Sequence, residues 1–152
     1  MSAPAEGGVV RPASKEDLDS LLAIQALWPP LPRWTRRHFE EELAVRRSGL
    51  LVFEGEGRLW AYGVVRWTAP EAEVLAIAVH PDRLRRGLGR KILARLHSLA
   101  VEAGCSVCGL EVSAANRSAI ALYSSAGYRV VGTRPNYYND RSDALLMSRR
   151  LP

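Results

Sequence analysis

Cysteine is scarce in this 152-residue chain, which has only Cys105 and Cys108. Their C-x-x-C spacing raises zinc or redox chemistry, but zinc needs two further ligands. The three histidines, His38, His80 and His97, show no metal spacing. Both cysteines also fall in an expected strand, where a separation of three sends the side chains to opposite faces. Two small buried thiols and no metal are therefore expected. Lysine is rarer than its total charge suggests, because all of the 21 basic residues except Lys15 and Lys91 are arginine. No run of five like charges occurs, which argues against a nucleic-acid stripe. The net charge of +5 equally suits an acidic small molecule. No apolar run approaches the roughly 20 residues that span a bilayer. The start, MSAPAEGGVV, lacks the cationic and apolar regions of a secretory signal. The expectation is a cytoplasmic protein with no membrane contact.

What is present fits one globular domain, with 47% hydrophobic and 24% charged residues. Residues 1–8 read as a loose tail and residues 9–150 as the domain. A short strand is expected at Val9–Pro12. Ser14 to Asp17 resembles a capping box ahead of a helix carrying Leu18, Leu21, Leu22 and Ile24. Three prolines make Trp28–Trp34 a loop. Thr35 can cap a second helix to about Arg47. Strands follow at Leu50–Glu54 and Leu59–Trp67, joined by a turn at Gly55–Gly57, and then at Val74–Val79. A helix has Leu88, Ile92, Leu96, Leu99 and Ala103 on one face and stops at Gly104. After a buried strand at Val107–Val112 comes a short helix capped by Asn116 and closed by Gly127. Two antiparallel strands, Tyr128–Thr133 and Asp143–Arg149, complete an α/β chain: one mixed sheet flanked by helices.

The stretch from Leu75 to Lys91, LAIAVHPDRLRRGLGRK, carries the first chemical signal. A strand ends in a Pro-Asp turn, and Gly87 and Gly89 sit among arginines where a helical pattern begins. Main-chain N–H groups in a first helical turn have no internal partner, and the dipole adds partial positive charge there. The stretch reads as a diphosphate cradle made of Arg85, Arg86, Gly87, Leu88, Gly89 and Arg90. At least one of those arginines is expected to be only a solvated charge. Neither GxGxxG nor GxxxxGK[ST] is present, which sets aside dinucleotide and P-loop readings. His80 reads as an exposed turn residue and not as a base.

With its strand-then-cradle order, LRRGLG at Leu84–Gly89 resembles the GCN5-related N-acetyltransferase (GNAT) superfamily over nearly all of residues 9–150. A second group of motifs is similar to the ribosomal-protein-alanine N-acetyltransferase branch. It comprises Leu110-Glu-Val112, Asn116, Ala119-Ile-Ala-Leu-Tyr123, Ala126-Gly-Tyr128, Arg134-Pro-Asn-Tyr-Tyr138 and Asp143-Ala-Leu-Leu-Met147, with Trp34-Thr35 ahead of a helix. Leu84, Ala76 and Ser113 depart from the family pattern. The resemblance implies the GNAT fold, acetyl-CoA as donor, and a protein N-terminal α-amine as acceptor, the N-terminal alanine of a ribosomal protein foremost. A monomer acting by direct transfer through a ternary complex is expected.

By that resemblance, Glu111 is a general base and Tyr123 a general acid. On pattern alone, Glu111 can equally be an acid paired with an arginine, and Tyr123 a core aromatic. The backbone of Ile77, Ala78 and Val79 is expected to hold the pantetheine arm like an added strand. Asn116 reads either as a contact to that arm or as a helix cap. Trp34, Tyr137 and Tyr138 are expected walls for the acceptor peptide, Tyr137 foremost, with plain loop packing as the alternative. Other protein N-termini, a small amine, or a non-catalytic acetyl-CoA sensor stay open as functions.

Overall fold

Three long strands with apolar residues toward the core form an antiparallel meander: β2 (Ser48–Gly55), β3 (Arg58–Thr68) and β4 (Glu71–Val79). The computed structural model describes residues 7–28 and 34–152. Most of the expected tail, and the centre of the Trp28–Trp34 loop, lie outside the described residues. Strand β1 (Val9–Pro12) pairs with β2 at one edge. At the other side, β4 lies beside β5 (Val107–Ser113), which pairs with β7 (Ala144–Arg150) and then β6 (Arg129–Arg134). The order is β1-β2-β3-β4-β5-β7-β6, and β4–β5 is the parallel pair. A parallel pair needs a crossover, which α3 (Leu88–Glu102) supplies. The expected element order and mixed sheet are what the chain adopts.

Helices cover both faces. From α1 (Leu18–Ala26) and α2 (Arg36–Ala44), Leu18, Leu21, Ile24 and Phe39 pack on Leu50, Val52, Tyr62 and Val64. On the opposite face, α3 buries Leu88, Ile92, Leu93, Leu96 and Ala100, and α4 (Arg117–Ser125) adds Tyr123. The expected stripe on α3 is thus shifted toward Leu93 and Ala100, with Leu99 only partly covered.

Three expectations need correction. Helix α2 stops at Ala44 and not near Arg47, because β-branched Val45 is already extended (φ −77°, ψ 124°) and β2 begins at Ser48. Strand β5 is buried on one face only: Cys108, Leu110 and Val112 are buried, while Val107, Gly109, Glu111 and Ser113 are half-buried. Cys105 precedes β5, so the two cysteines do not share a strand, although both are free and buried as expected.

The first helix is entered through a charged clasp. Arg11 donates to Asp17 at 2.8 Å and to Glu54 at 2.8 Å, and the Ser14 main-chain N–H donates to Asp17 at 2.8 Å. Arg11 holds the Asp17 carboxyl below its ordinary value of 3.8. A depressed carboxyl stabilises the fold above its unfolded pKa, and that contribution is lost as pH falls through the folded one. Asp17→Asn is expected to cost about 2 kcal/mol at pH 7. In urea unfolding, the gap to wild type should close below about pH 4. A gap unchanged from pH 7 to pH 3 would contradict this role.

Candidate active site

Strands β4 and β5 pair only where Glu71–Val74 faces Val107–Leu110. Beyond that point β4 runs on to Val79 and β5 to Ser113 without meeting. The cause lies in the β3 ladder. Val64 faces Ala76 and Val65 faces Val74, so Leu75 has no partner and bulges. A bulge bends and twists its strand, and the two strands diverge into a fork. Glu111 is the first residue of β5 past the last paired position.

Two cavities meet in this fork. The larger, about 820 Å³, is lined by Ile77, Ala78, Val79, Arg85, Gly87, Leu88, Gly89, Arg90 and Asn116, together with Arg83, Leu84 and much of α4. It matches the expected cofactor set except for Arg86, which is exposed and outside the lining. Gly87 caps α3 with φ +79°, and Arg85 is also left-handed at φ +61°. Alternating left-handed residues turn successive N–H groups toward one concavity. The first-turn N–H groups of Leu88, Gly89 and Arg90 have no partner within α3. With Arg85 and Arg90 beside them, these donors fit a diphosphate.

The strand edge fits an extended amide-bearing arm, with one correction. His80 N–H donates to the Trp60 carbonyl, and antiparallel pairs alternate. The same phase turns the N–H and C=O of Ala78 toward β3, so Ala78 offers the groove its methyl and not its backbone. Ile77 and Val79 face outward, but the Val79 carbonyl already accepts the indole N–H of Trp28 at 2.8 Å.

The smaller cavity, about 230 Å³, is lined by Glu111, Tyr123, Tyr138 and Trp34, and by Gln25, Trp28, Tyr62, Ala76 and Ser113. Tyr138, and not the favoured Tyr137, faces it. Tyr137 stands 51% exposed behind Tyr138, with the two rings edge-to-face at 5.1 Å. Glu111 is half-buried and pairs with Arg134 at 3.4 Å. Burial first, and then Glu111 nearby, raises the Glu73 carboxyl. The same two causes, in the same order, raise the Tyr138 phenol. Tyr123 is buried on α4, and burial above all pushes its phenol up to about 12. Asn116 lines both cavities and also caps α4, its side chain accepting the Ala119 N–H at 3.2 Å. His80 is half-buried and not exposed, because its ring packs edge-on against Trp60 at 5.2 Å.

Sequence reading missed Gln25, Trp28 and Tyr62. Gln25 is buried among the leucines of α1, where its amide accepts the Trp34 N–H and donates to the Trp34 carbonyl, both at 2.7 Å. A polar residue on an otherwise apolar helix face was the available signal.

The sequence profile of the acetyltransferase (GNAT) family matches residues 16–128. The chain belongs to the GNAT family of N-acetyltransferases. It is 38% identical over 138 residues to the [ribosomal protein bS18]-alanine N-acetyltransferase of Salmonella typhimurium, covering 89% of this chain and 92% of that one. The Escherichia coli K12 protein of the same name is 34% identical over 118 residues, 76% of this chain and 79% of that one. The crystal structure of the ribosomal-protein-S18-alanine N-acetyltransferase from Escherichia coli superposes with a TM-score of 0.86 at 30% identity. That superposition covers 95% of this chain and 94% of the other.

The departures from the family pattern have local consequences in this GNAT chain. Leu84 is exposed on the wall of the larger cavity, and Ala76 is a small lining residue of the smaller one. Ser113 bonds Ser142 at 2.8 Å and so ties the β6–β7 loop to the end of β5. Among the described residues, no group of three or more His, Cys, Asp and Glu side chains is placed to hold a metal, and no helix is long and apolar enough to cross a membrane.

Proposed function

We propose that this enzyme transfers the acetyl group of acetyl-CoA to a protein N-terminal α-amine. The proposed acceptor is the N-terminal alanine of a small-subunit ribosomal protein, bS18, for which its relatives are named. The observation that carries the reading is the meeting of a diphosphate-fitting groove and a carboxylate-lined cavity at the β4–β5 fork. The cradle at Arg85–Arg90 holds the diphosphate, and the outward N–H of Val79 meets the arm or the thioester carbonyl. Tyr138 and Trp34 wall the incoming peptide. We propose further that the enzyme works in the cytoplasm, where ribosomal proteins are made, and as a monomer.

An α-amino group has a pKa near 8, so deprotonation at pH 7 costs roughly 1.4 kcal/mol, against roughly 4.6 for lysine. One carboxylate suffices for the easier task. Glu111 takes the proton as the amine nitrogen bonds to the carbonyl carbon. Tyr123 donates a hydrogen bond to sulfur as the carbon–sulfur bond breaks and coenzyme A leaves as its thiolate. A phenol near 12 stays protonated at every working pH. Complete transfer from it to a thiolate of ordinary pKa near 8.5 is uphill by about 5 kcal/mol. Tyr123 therefore works chiefly as a hydrogen-bond donor to the departing sulfur.

Tyr123→Phe is expected to lower kcat about 10- to 100-fold while acetyl-CoA affinity and thermal stability hold. An unchanged kcat would return Tyr123 to a packing role. The test of the function itself is mass spectrometry of peptides beginning with Ala, Ser, Met or an acidic residue, beside polyamines and aminoglycosides. Acetylation of the α-amine of the alanine peptide is the expected result. Modification of the small amines alone would refute it.

A further inference from the structure

Trp28 follows the last turn of α1 and reaches across the fork. Its indole N–H donates to the Val79 carbonyl, an outward-facing acceptor on the free edge of β4. Its main-chain N–H donates to the Gln25 carbonyl at 3.0 Å. Gln25 in turn clasps the main chain of Trp34, a wall of the acceptor cavity. One run of hydrogen bonds thus connects Val79, Trp28, Gln25 and Trp34, from the cofactor strand to the acceptor wall. The Trp28 ring itself borders both cavities, beside Ile77, Ala78, Asn116, Ala119 and Tyr123.

The geometry points to Trp28 as a positioning residue that couples the two half-sites, an inference that rests on the two-substrate reading above. An arm lying along the edge of β4 fixes Val79. The indole carries that placement to α1, and Gln25 carries it to Trp34. Cofactor binding should therefore tighten acceptor binding. Tyr138 sits on the β6–β7 loop, which Ser113 ties to β5 and not to the cofactor strand.

The test is Trp28→Phe, which keeps an aromatic ring in the fork and removes the N–H. A net hydrogen bond corresponds to a factor of about two to ten. The KM for an alanine peptide should rise about three- to tenfold, a larger factor than any change in the Kd for coenzyme A alone. Coenzyme A should tighten peptide binding to the wild type and should do so by that much less in the variant. An unchanged peptide KM would overturn the inference. So would a Kd for coenzyme A that rises by the same factor as the peptide KM, since Trp28 would then be only a groove wall. Turnover by the wild type separates the two readings, because a wild type inactive on every peptide refutes the acetyl-transfer scheme itself. In that event amide exchange still decides the link: Trp28→Phe must speed exchange of the Trp34 N–H, and unchanged exchange overturns it.

Discussion

Glu111→Gln is expected to lower kcat/KM for an N-terminal alanine peptide by about 10²- to 10³-fold at pH 7. The Kd for acetyl-CoA should stay within about twofold, because Glu111 lines the smaller cavity and not the larger one proposed for the cofactor. The loss should shrink as pH rises past about 8, where the peptide amine deprotonates unaided. That pH dependence separates a base from a structural acid. In the proposed transfer a proton acceptor is needed at the fork; Glu111 lies one residue past the last β4–β5 pair, and its partner Arg134 is about half exposed. Glutamine fills the same space and can still accept a hydrogen bond from Arg134, so the fold should be spared. A variant with wild-type rates at pH 7 would mean that the Arg134 pair is the whole purpose of Glu111.

Gly87→Val should weaken acetyl-CoA binding by about 100-fold or more, measured by calorimetry on the folded variant. Two physical effects combine. Gly87 holds φ +79°, where a β-branched residue costs about 1–3 kcal/mol. A Cβ there meets no protein atom within 4 Å, so the valine would project into the space from which the first-turn N–H groups are reached. Relaxing the strain would misalign those donors, and leaving it would block the approach. Gly87→Asn separates the two effects, since asparagine tolerates the left-handed region; it should lose only about tenfold. Wild-type affinity in the valine variant would place the diphosphate elsewhere.

Much of this was legible in the sequence, for identifiable reasons. Helix α3 announces itself through Leu88, Ile92 and Leu96 and through Gly104 at its end, and the meander through alternation and the Gly55–Gly57 turn. Glu111 and Tyr123 could be singled out because each stands beside apolar neighbours in a familiar motif. The fork was not legible. It depends on the Leu75 bulge, which arises from register between β3 and β4 and leaves no mark on local composition. The loss of Ala78's backbone from the groove follows from the same register. The places of Gln25 and Trp28 were hidden for a related reason: Gln25 holds the Trp34 main chain through two hydrogen bonds, and Trp28 reaches the Val79 carbonyl through one at long sequence separation. Ranking Tyr138 above Tyr137 required the path of the β6–β7 loop, where the Asn136 N–H donates to Asp143 and the Tyr138 N–H to the Ser142 carbonyl.

In the proposed reaction, donor and acceptor meet at the β4–β5 fork. A crystal structure with coenzyme A bound tests it most directly. The expected result is the diphosphate on the N–H groups of Gly87 to Arg90, the arm along Ile77 and Val79, and the sulfur between Glu111 and Tyr123. A diphosphate seated away from the N-terminus of α3, or a sulfur outside the fork, would contradict it.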